Sequence, residues 1–304
     1  MKQTILSILD LTADEIDTLL DDAIRLKKER ADGVAHHHLD GKTLGMIFEK
    51  SSTRTRISFD VGMYELGGYA LYLNPRDMQL DRGEAIPDTA RVLSRYLSAA
   101  MIRANSHGSI EIFSDYSTIP VINGLSDKEH PCQILADLMT LKERFGDLSG
   151  LHLAWVGDGN NVCNSLILST ILTGMKVSVA VPPGYEPDPD CIRRAEARGN
   201  VTFHKTPEEA VAGADAVYTD TWISMGNEDE HDARLKAFAP YSVTSALMSN
   251  ASEDAVVLHC LPAHRGLEIT DEVLDGPQSA VWDQAENRLH AQKALLVALI
   301  GKRD

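Results

Sequence analysis

Cysteine is scarce, and nowhere does it form a pair in sequence. Cys132, Cys163, Cys191 and Cys260 are the four in 304 residues, and no C-x-x-C occurs. That excludes a disulfide scaffold and a zinc ribbon, and it predicts a reduced, cytoplasmic protein. Long apolar runs are missing too. A membrane helix needs about 20 apolar residues, whereas the run Ile5 to Leu9 is stopped by Asp10 and is too short for the apolar core of a signal peptide. Positive charge is in deficit: Lys and Arg number 29 against 45 Asp and Glu, a formal net charge of -16. A nucleic acid or an anionic membrane wants a basic face, so neither is expected as a partner. Any anion site has to be built locally, against the overall field. Gly157-Asp158-Gly159-Asn160-Asn161 follows an apolar run but lacks the third glycine of G-x-G-x-x-G, which argues against a dinucleotide site. No internal repeat is visible. His36-His37-His38 reads as surface loop in a polar connection.

What remains is an ordinary globular composition, 43% hydrophobic and 24% charged, long enough for two cores. Thr12 to Arg30 predicts an amphipathic helix, with Thr12 and Glu15 as a capping box. Thr43 to Phe48, Ala70 to Leu73, Ala99 to Ile102 and Ile119 to Ile122 read as strands. Residues 74 to 87 read as an exposed loop and Asp88 to Tyr96 as a helix. A second set of strand–helix units follows the junction at Gly146 to Gly150, with strands at Leu151 to Val156, Lys176 to Val181, Val201 to His204, Ala216 to Thr219, Val256 to Leu258 and Ala280 to Trp282. Gln284 to Ile300 predicts a long last helix. Alternating strands and helices imply α/β domains, each with a central parallel sheet flanked by helices. The expected division is 1–145 and 146–304.

The organising stretch is Phe48-Glu49-Lys50-Ser51-Ser52-Thr53-Arg54-Thr55-Arg56, where a strand turns into a helix. Free N–H groups and the positive dipole end favour an anion there. Ser52, Thr53 and Thr55 add hydroxyl donors, and Arg54 adds a fork that matches phosphate. The plain alternative is an N-cap with solvated arginines. The spacing is not that of a Walker loop. Arg103 closes a strand at its C-terminal end, where ligands collect in open α/β sheets. His130-Pro131-Cys132-Gln133 opens a helix. Proline suits the first helical position, so His130 sits at the cap, with Gln133 one turn on. Asp220 ends another strand, and an acid there can hold an ammonium group. Asn161 offers an amide to a carboxylate. Ser224 and Met225 lie in a small-residue loop, and the acidic tract Glu228 to Asp232 reads as solvated surface. His259, Cys260 and His264 suggest zinc, but no second Cys/His pair stands at ligand spacing, so no metal is expected.

Taken in order, Ser52-Thr53-Arg54-Thr55, Arg103, His130-Pro131-Cys132-Gln133, Asp220-x-x-x-Ser224-Met225-Gly226 and His259-Cys260-Leu261-Pro262 resemble the aspartate and ornithine carbamoyltransferase family, and the last two resemble its ornithine branch. Ser51 stands where the family often has proline. The resemblance implies a carbamoyl-phosphate domain, then an ornithine domain, with the C-terminal helix returning to the first. It implies transfer of a carbamoyl group to the side-chain amine of L-ornithine, giving citrulline. It further implies a homotrimer or a multiple of one, and no cofactor or metal. It places carbamoyl phosphate on Ser52, Thr53, Arg54, Thr55, Gln79, Arg103, His130, Gln133, Cys260, Leu261 and Arg288, with Gln79 reaching in from a neighbouring subunit. Ornithine falls to Asn161, Asp220, Ser224 and Met225. Catalysis falls to Arg103, His130, Cys260 and Asp220. A sibling that carbamoylates N-acetylornithine or putrescine is the nearest competing reading.

Overall fold

The structure, a computed structural model, describes residues 4–198, 200–223 and 230–301. The chain forms two compact units, Met1–Met139 with Glu286–Asp304, and Thr140–Ala285.

Unit 1 contains α1 (Ala13–Ala31), β1 (Thr43–Phe48), α2 (Thr53–Glu65), β2 (Tyr69–Leu73), α3 (Ile86–Leu93), β3 (Ala99–Arg103), α4 (His107–Tyr116), β4 (Val121–Leu125) and most of α5 (Pro131–Phe145). The capping box of α1 is present: Thr12 Oγ1 accepts from Glu15 N, and Glu15 Oε2 accepts from Thr12 N. Its Ile16, Leu19, Leu20, Ala23 and Leu26 are buried on one stripe. The sheet runs β2-β1-β3-β4, all parallel. Residues 44 to 48 of β1 and all of β3 are buried, which is why their sequences run apolar rather than alternating. Edge strand β2 keeps Tyr69 and Leu71 exposed.

Unit 2 contains β5 (His152–Val156), α6 (Asn161–Thr173), β6 (Lys176–Ala180), α7 (Pro189–Glu196), β7 (Val201–Phe203), α8 (Pro207–Val211), β8 (Ala216–Thr219), α9 (His231–Phe238), α10 (Ser245–Met248), β9 (Val256–His259) and α11 (Asp271–Leu274). Its parallel sheet is ordered β7-β6-β5-β8-β9. Ala154, Val156, Val217 and Val257 from the sheet pack with Ala210, Val211, Leu247 and Val273 in one apolar core. The final helix, α12 (Val281–Ile300), supplies its residues from Glu286 onward to unit 1.

There, α12 is tied by charge as well as apolar contact. The Lys293 side chain is 0% exposed; its Nζ donates to Glu65 Oε2 at 2.8 Å and lies 3.5 Å from His36 Nδ1. Arg30 Nε donates to the other Glu65 oxygen, and Lys27 Nζ to Asn287 Oδ1. A buried lysine persists only when paired in this way. His36 is therefore buried within the anchor, not part of a surface loop.

Two strand expectations change. The fourth strand of unit 1 is Val121–Leu125, so Asn123-Gly124 lies inside it rather than ending it. Asn123 Nδ2 donates to Leu6 O, and Met101 packs where a Gly124 side chain would stand, so both polar-looking positions serve packing. Ala280 to Trp282 is not a strand. Pairing with β9 lasts for a single bridge, Val257 to Ser279, and α12 then begins as Gln284 N donates to Ala280 O. Helix α9 takes in His231 and Asp232, the exposed end of the acidic tract read as solvated surface; residues 228 and 229 of that tract lie outside the described residues, and no helix signal stood out there in sequence. Among the described residues, no helix is long and apolar enough to cross a membrane.

Candidate active site

In unit 1 the anion-binding elements are local. Ser52 caps α2, its Oγ accepting from Thr55 N and donating to Thr55 Oγ1, both at 3.2 Å. Thr55 Oγ1 also accepts from Arg288 Nη2 at 3.2 Å, and Arg288 Nη1 donates to Gln133 Oε1 at 2.6 Å. Gln133 Nε2 in turn donates to Asp137 Oδ1 at 2.8 Å. Thus residues from α2, α5 and α12, spread over the sequence, form one buried polar cluster. Thr53 stays exposed and Arg54 half-buried, so both can face a ligand. Arg103 is buried at the end of β3, where its carbonyl accepts from Glu49 N, next to the loop entering α2. His130 caps α5 through its carbonyl, which accepts from Gln133 N. Burial holds the His130 imidazole well below the usual histidine range, and the charges of Arg288 and Arg103 push it the same way. At neutral pH the ring is therefore uncharged, and its N–H is a hydrogen-bond donor. Cys132 is inert: burial pushes its thiol up to about 12. Gln79 is exposed and opens the tight turn Leu80–Arg82 in the loop expected there; it touches none of these residues among the described contacts.

In unit 2 the centre is Asp220, just past the end of β8 and buried. Its Oδ1 accepts from Cys260 Sγ at 2.7 Å and from Thr221 N at 2.8 Å. Its Oδ2 accepts from Asn160 Nδ2 at 2.7 Å. Cys260 follows β9 and is partly exposed, unlike the other three cysteines. Leu261 has a left-handed backbone, φ 58°, and its N–H donates to His259 Nδ1 at 2.9 Å. His259 Nε2 then donates to Glu268 Oε1 at 3.2 Å, with both side chains fully buried. This pair, absent from the sequence reading, fixes the turn that carries Cys260. Asn161 is the first residue of α6, one place beyond the cap. Ser224 and Met225 lie outside the described residues.

The fold supplies a proximity that spacing did not reveal. Ligand-type atoms of Asp220, His259 and Cys260 lie within 4.8 Å of one another. Both His259 nitrogens are already engaged, and the Cys260 thiol donates to Asp220, so hydrogen bonding accounts for the grouping.

Asp158 and Arg234 also escaped the sequence reading. Arg234 Nη2 donates to Asp158 Oδ2 at 2.5 Å, and its Nε donates to Trp222 O at 2.6 Å. Burial pushes Asp158 up to about 7, against the opposing guanidinium and with help from the Asp220 charge. No local signal links two residues so far apart. Gly159, the second glycine of the rejected dinucleotide motif, serves packing: the backbone of Tyr185 to Pro187 occupies the space of a side chain, and Gly159 N donates to Tyr185 O.

Comparison with known proteins agrees with this architecture. Residues 3–143 match the carbamoyl-P binding domain of aspartate/ornithine carbamoyltransferase, and residues 149–299 match the Asp/Orn binding domain. The chain belongs to the aspartate/ornithine carbamoyltransferase family. A curated relative, ornithine carbamoyltransferase of Methanoculleus marisnigri, is 63% identical over 301 residues, covering 99% of this chain and 97% of that one. The solved structure of ornithine carbamoyltransferase from Pyrococcus furiosus is 52% identical with a TM-score of 0.94, covering 98% of this chain and 96% of that one. The Thermus thermophilus enzyme of the same name gives 44% and 0.91, with 99% of each chain covered.

Proposed function

We propose that this protein transfers the carbamoyl group of carbamoyl phosphate to the side-chain amine of L-ornithine, forming L-citrulline and phosphate in arginine metabolism. The observation that carries the reading is the Asp220–Cys260 contact at 2.7 Å, within a chain that relatives named for ornithine match almost end to end.

Carbamoyl phosphate is assigned to Ser52, Thr53, Arg54, Thr55, Arg103, His130, Gln133, Arg288, Cys260 and Leu261. The leaving phosphate draws on the α2 N-terminus and the guanidiniums. The carbonyl oxygen gains charge in the tetrahedral transition state, and Thr55, Arg103 and neutral His130 are the donors for it. Gln133 holds the carbamoyl NH₂.

Ornithine is assigned to unit 2. Asp220 takes its α-ammonium, and Asn161 with the Ser224-Met225 segment takes its α-carboxylate. The attacking amine has to lose a proton; with a lysine-like pKa of ~10.4 this costs roughly 4–5 kcal/mol at pH 7. Cys260 with Asp220 behind it is the acceptor pair, since the thiol already donates to that carboxylate. The enzyme works in the cytoplasm as a homotrimer or a multiple of one, each site taking Gln79 from a neighbour.

The test is a steady-state assay with carbamoyl phosphate and ornithine, N-acetylornithine or putrescine. Citrulline should form fastest, with no loss on chelation. Faster turnover of either other amine would replace ornithine as the substrate.

A further inference from the structure

We infer that Asn160 is a positioning residue for Asp220, locking the carboxylate that the ornithine reading assigns to the amine half of the reaction. The inference rests on that reading for its catalytic meaning, and on hydrogen-bond geometry for its content.

An asparagine amide has one acceptor oxygen and two N–H donors. In Asn160 the oxygen is committed, since Oδ1 accepts from Val162 N at 2.9 Å and from Cys163 N at 3.1 Å, capping α6. With the oxygen held by two N–H groups, Nδ2 is the group that faces Asp220, and it donates to Oδ2 at 2.7 Å. The other carboxylate oxygen is held by Thr221 N and the Cys260 thiol. Both Asp220 oxygens are therefore fixed, and the plane cannot turn without losing a donor.

The amide also links a helix end to a carboxylate. Two α6 N–H groups polarise the Asn160 oxygen, which strengthens its own N–H as a donor. Around Asp220 stand the Asp158–Arg234 ion pair, the Cys260 thiol, His259, and His264 through Thr221 Oγ1. Asn160 adds a donor to this set without adding a charge. Aspartate at the same position would cap α6 equally well but would face Asp220 with a second acid. The choice of amide is thus dictated by the Asp220 side of the residue, since the helix side would accept either.

Two variants that preserve the cap separate these roles. Asn160→Ser keeps a cap acceptor and leaves a gap at Asp220. It should raise the ornithine KM about 10–150-fold, the scale of one lost hydrogen bond to a charged group, while the carbamoyl phosphate KM stays within about two-fold. Asn160→Asp keeps the cap and sets two acids side by side, one of which then titrates later. Its acid limb of kcat/KM for ornithine should move up by at least about one pH unit relative to the parent. A substrate-free readout accompanies the kinetics. In pH-difference infrared spectra, Asn160→Asp should add a protonated-carboxyl band to that of Asp158, which the parent shares, and the added band should vanish when Asp220→Asn is introduced. Superimposable pH profiles, with no added band in correctly folded variants, would overturn the inference. A parent inactive towards ornithine whose variant still shows the added band would overturn the proposed substrate and leave the positioning role standing.

Discussion

Lowering the pH should loosen the C-terminal helix of unit 1 well before carboxylates in their ordinary range protonate, and His290 is the reason. Its side chain is fully buried on α12, and its Nε2 lies 3.4 Å from Glu286 Oε1. Burial pushes it down from 6.5 to about 4, against the pull of Glu286 and with further push from Lys293 and Lys27. The folded form is the weaker base, so the unfolded form takes up the extra proton. Stability is therefore unaffected above about pH 6.5, falls as pH drops below it, and stops falling below about 4. Linkage at pH 5 gives a loss of about 2 kcal/mol from this group, which half-exposed Glu286 and solvent screening reduce to about 1–2. His36, lowered by burial and by Lys293, moves the same way. The measurement is amide exchange of peptides within 286–301 at about pH 7.5 and about pH 5, corrected for intrinsic rates, in the parent and in His290→Gln. The parent should lose protection between the two conditions by the amount above, and the variant by distinctly less. Equal losses in both proteins would refute the assignment to His290.

Arg103→Ala should lower kcat by ~10²–10³, the usual result of removing one donor from a developing oxyanion, with little change in ornithine binding; near-normal kcat would make Arg103 structural. Cys260→Ser should leave the melting temperature close to the parent's and shift the pH–rate profile; an unchanged profile with unchanged kcat would remove the thiol from proton transfer. Gly159→Ala should destabilise unit 2 by about 1–3 kcal/mol in urea unfolding, because its Cβ meets the backbone of Tyr185 to Pro187; an unaltered midpoint would show that this loop yields freely. Gln79→Ala and Arg288→Ala, each nearly inactive alone, should regain activity when refolded together, with about one quarter of the sites in random cyclic hybrids carrying both native residues; inactive hybrids confirmed by mass would exclude Gln79.

The parts of the site visible in sequence are those whose chemistry is set within a few residues. Ser52 at a strand–helix turn, Arg103 and Asp220 at strand ends, and proline after His130 all follow from local rules. Asn160 stood one place from a residue chosen for the same motif; which of two adjacent asparagines caps a helix depends on where the helix begins, and boundaries are set by tertiary contacts. Arg234 with Asp158 and Glu268 with His259 were illegible for another reason. Each pair closes only when separate elements pack, and neither partner carries a spacing signal. His36 was misread because polarity suggested surface, whereas its partner Lys293 arrives from the far end of the chain. The parallel direction of the strands in both sheets follows from alternation, but the single-residue bridge at Ser279 depends on how quickly α12 takes over the backbone donors.

The return of α12 has a meaning for synthesis on the ribosome. Unit 1 begins the chain, and its Glu65, Gln133 and His36 have partners close by in Arg30, Asp137 and Glu29, yet each also contacts Lys293 or Arg288 from the last helix. Roughly 150 residues of unit 2 have to be made in between. At about 5–20 residues per second the nascent unit 1 waits on the order of 10–30 s with those α12 contacts unmade. The unit synthesised first is thus the one completed last, and its early life resembles that of a client for a chaperone.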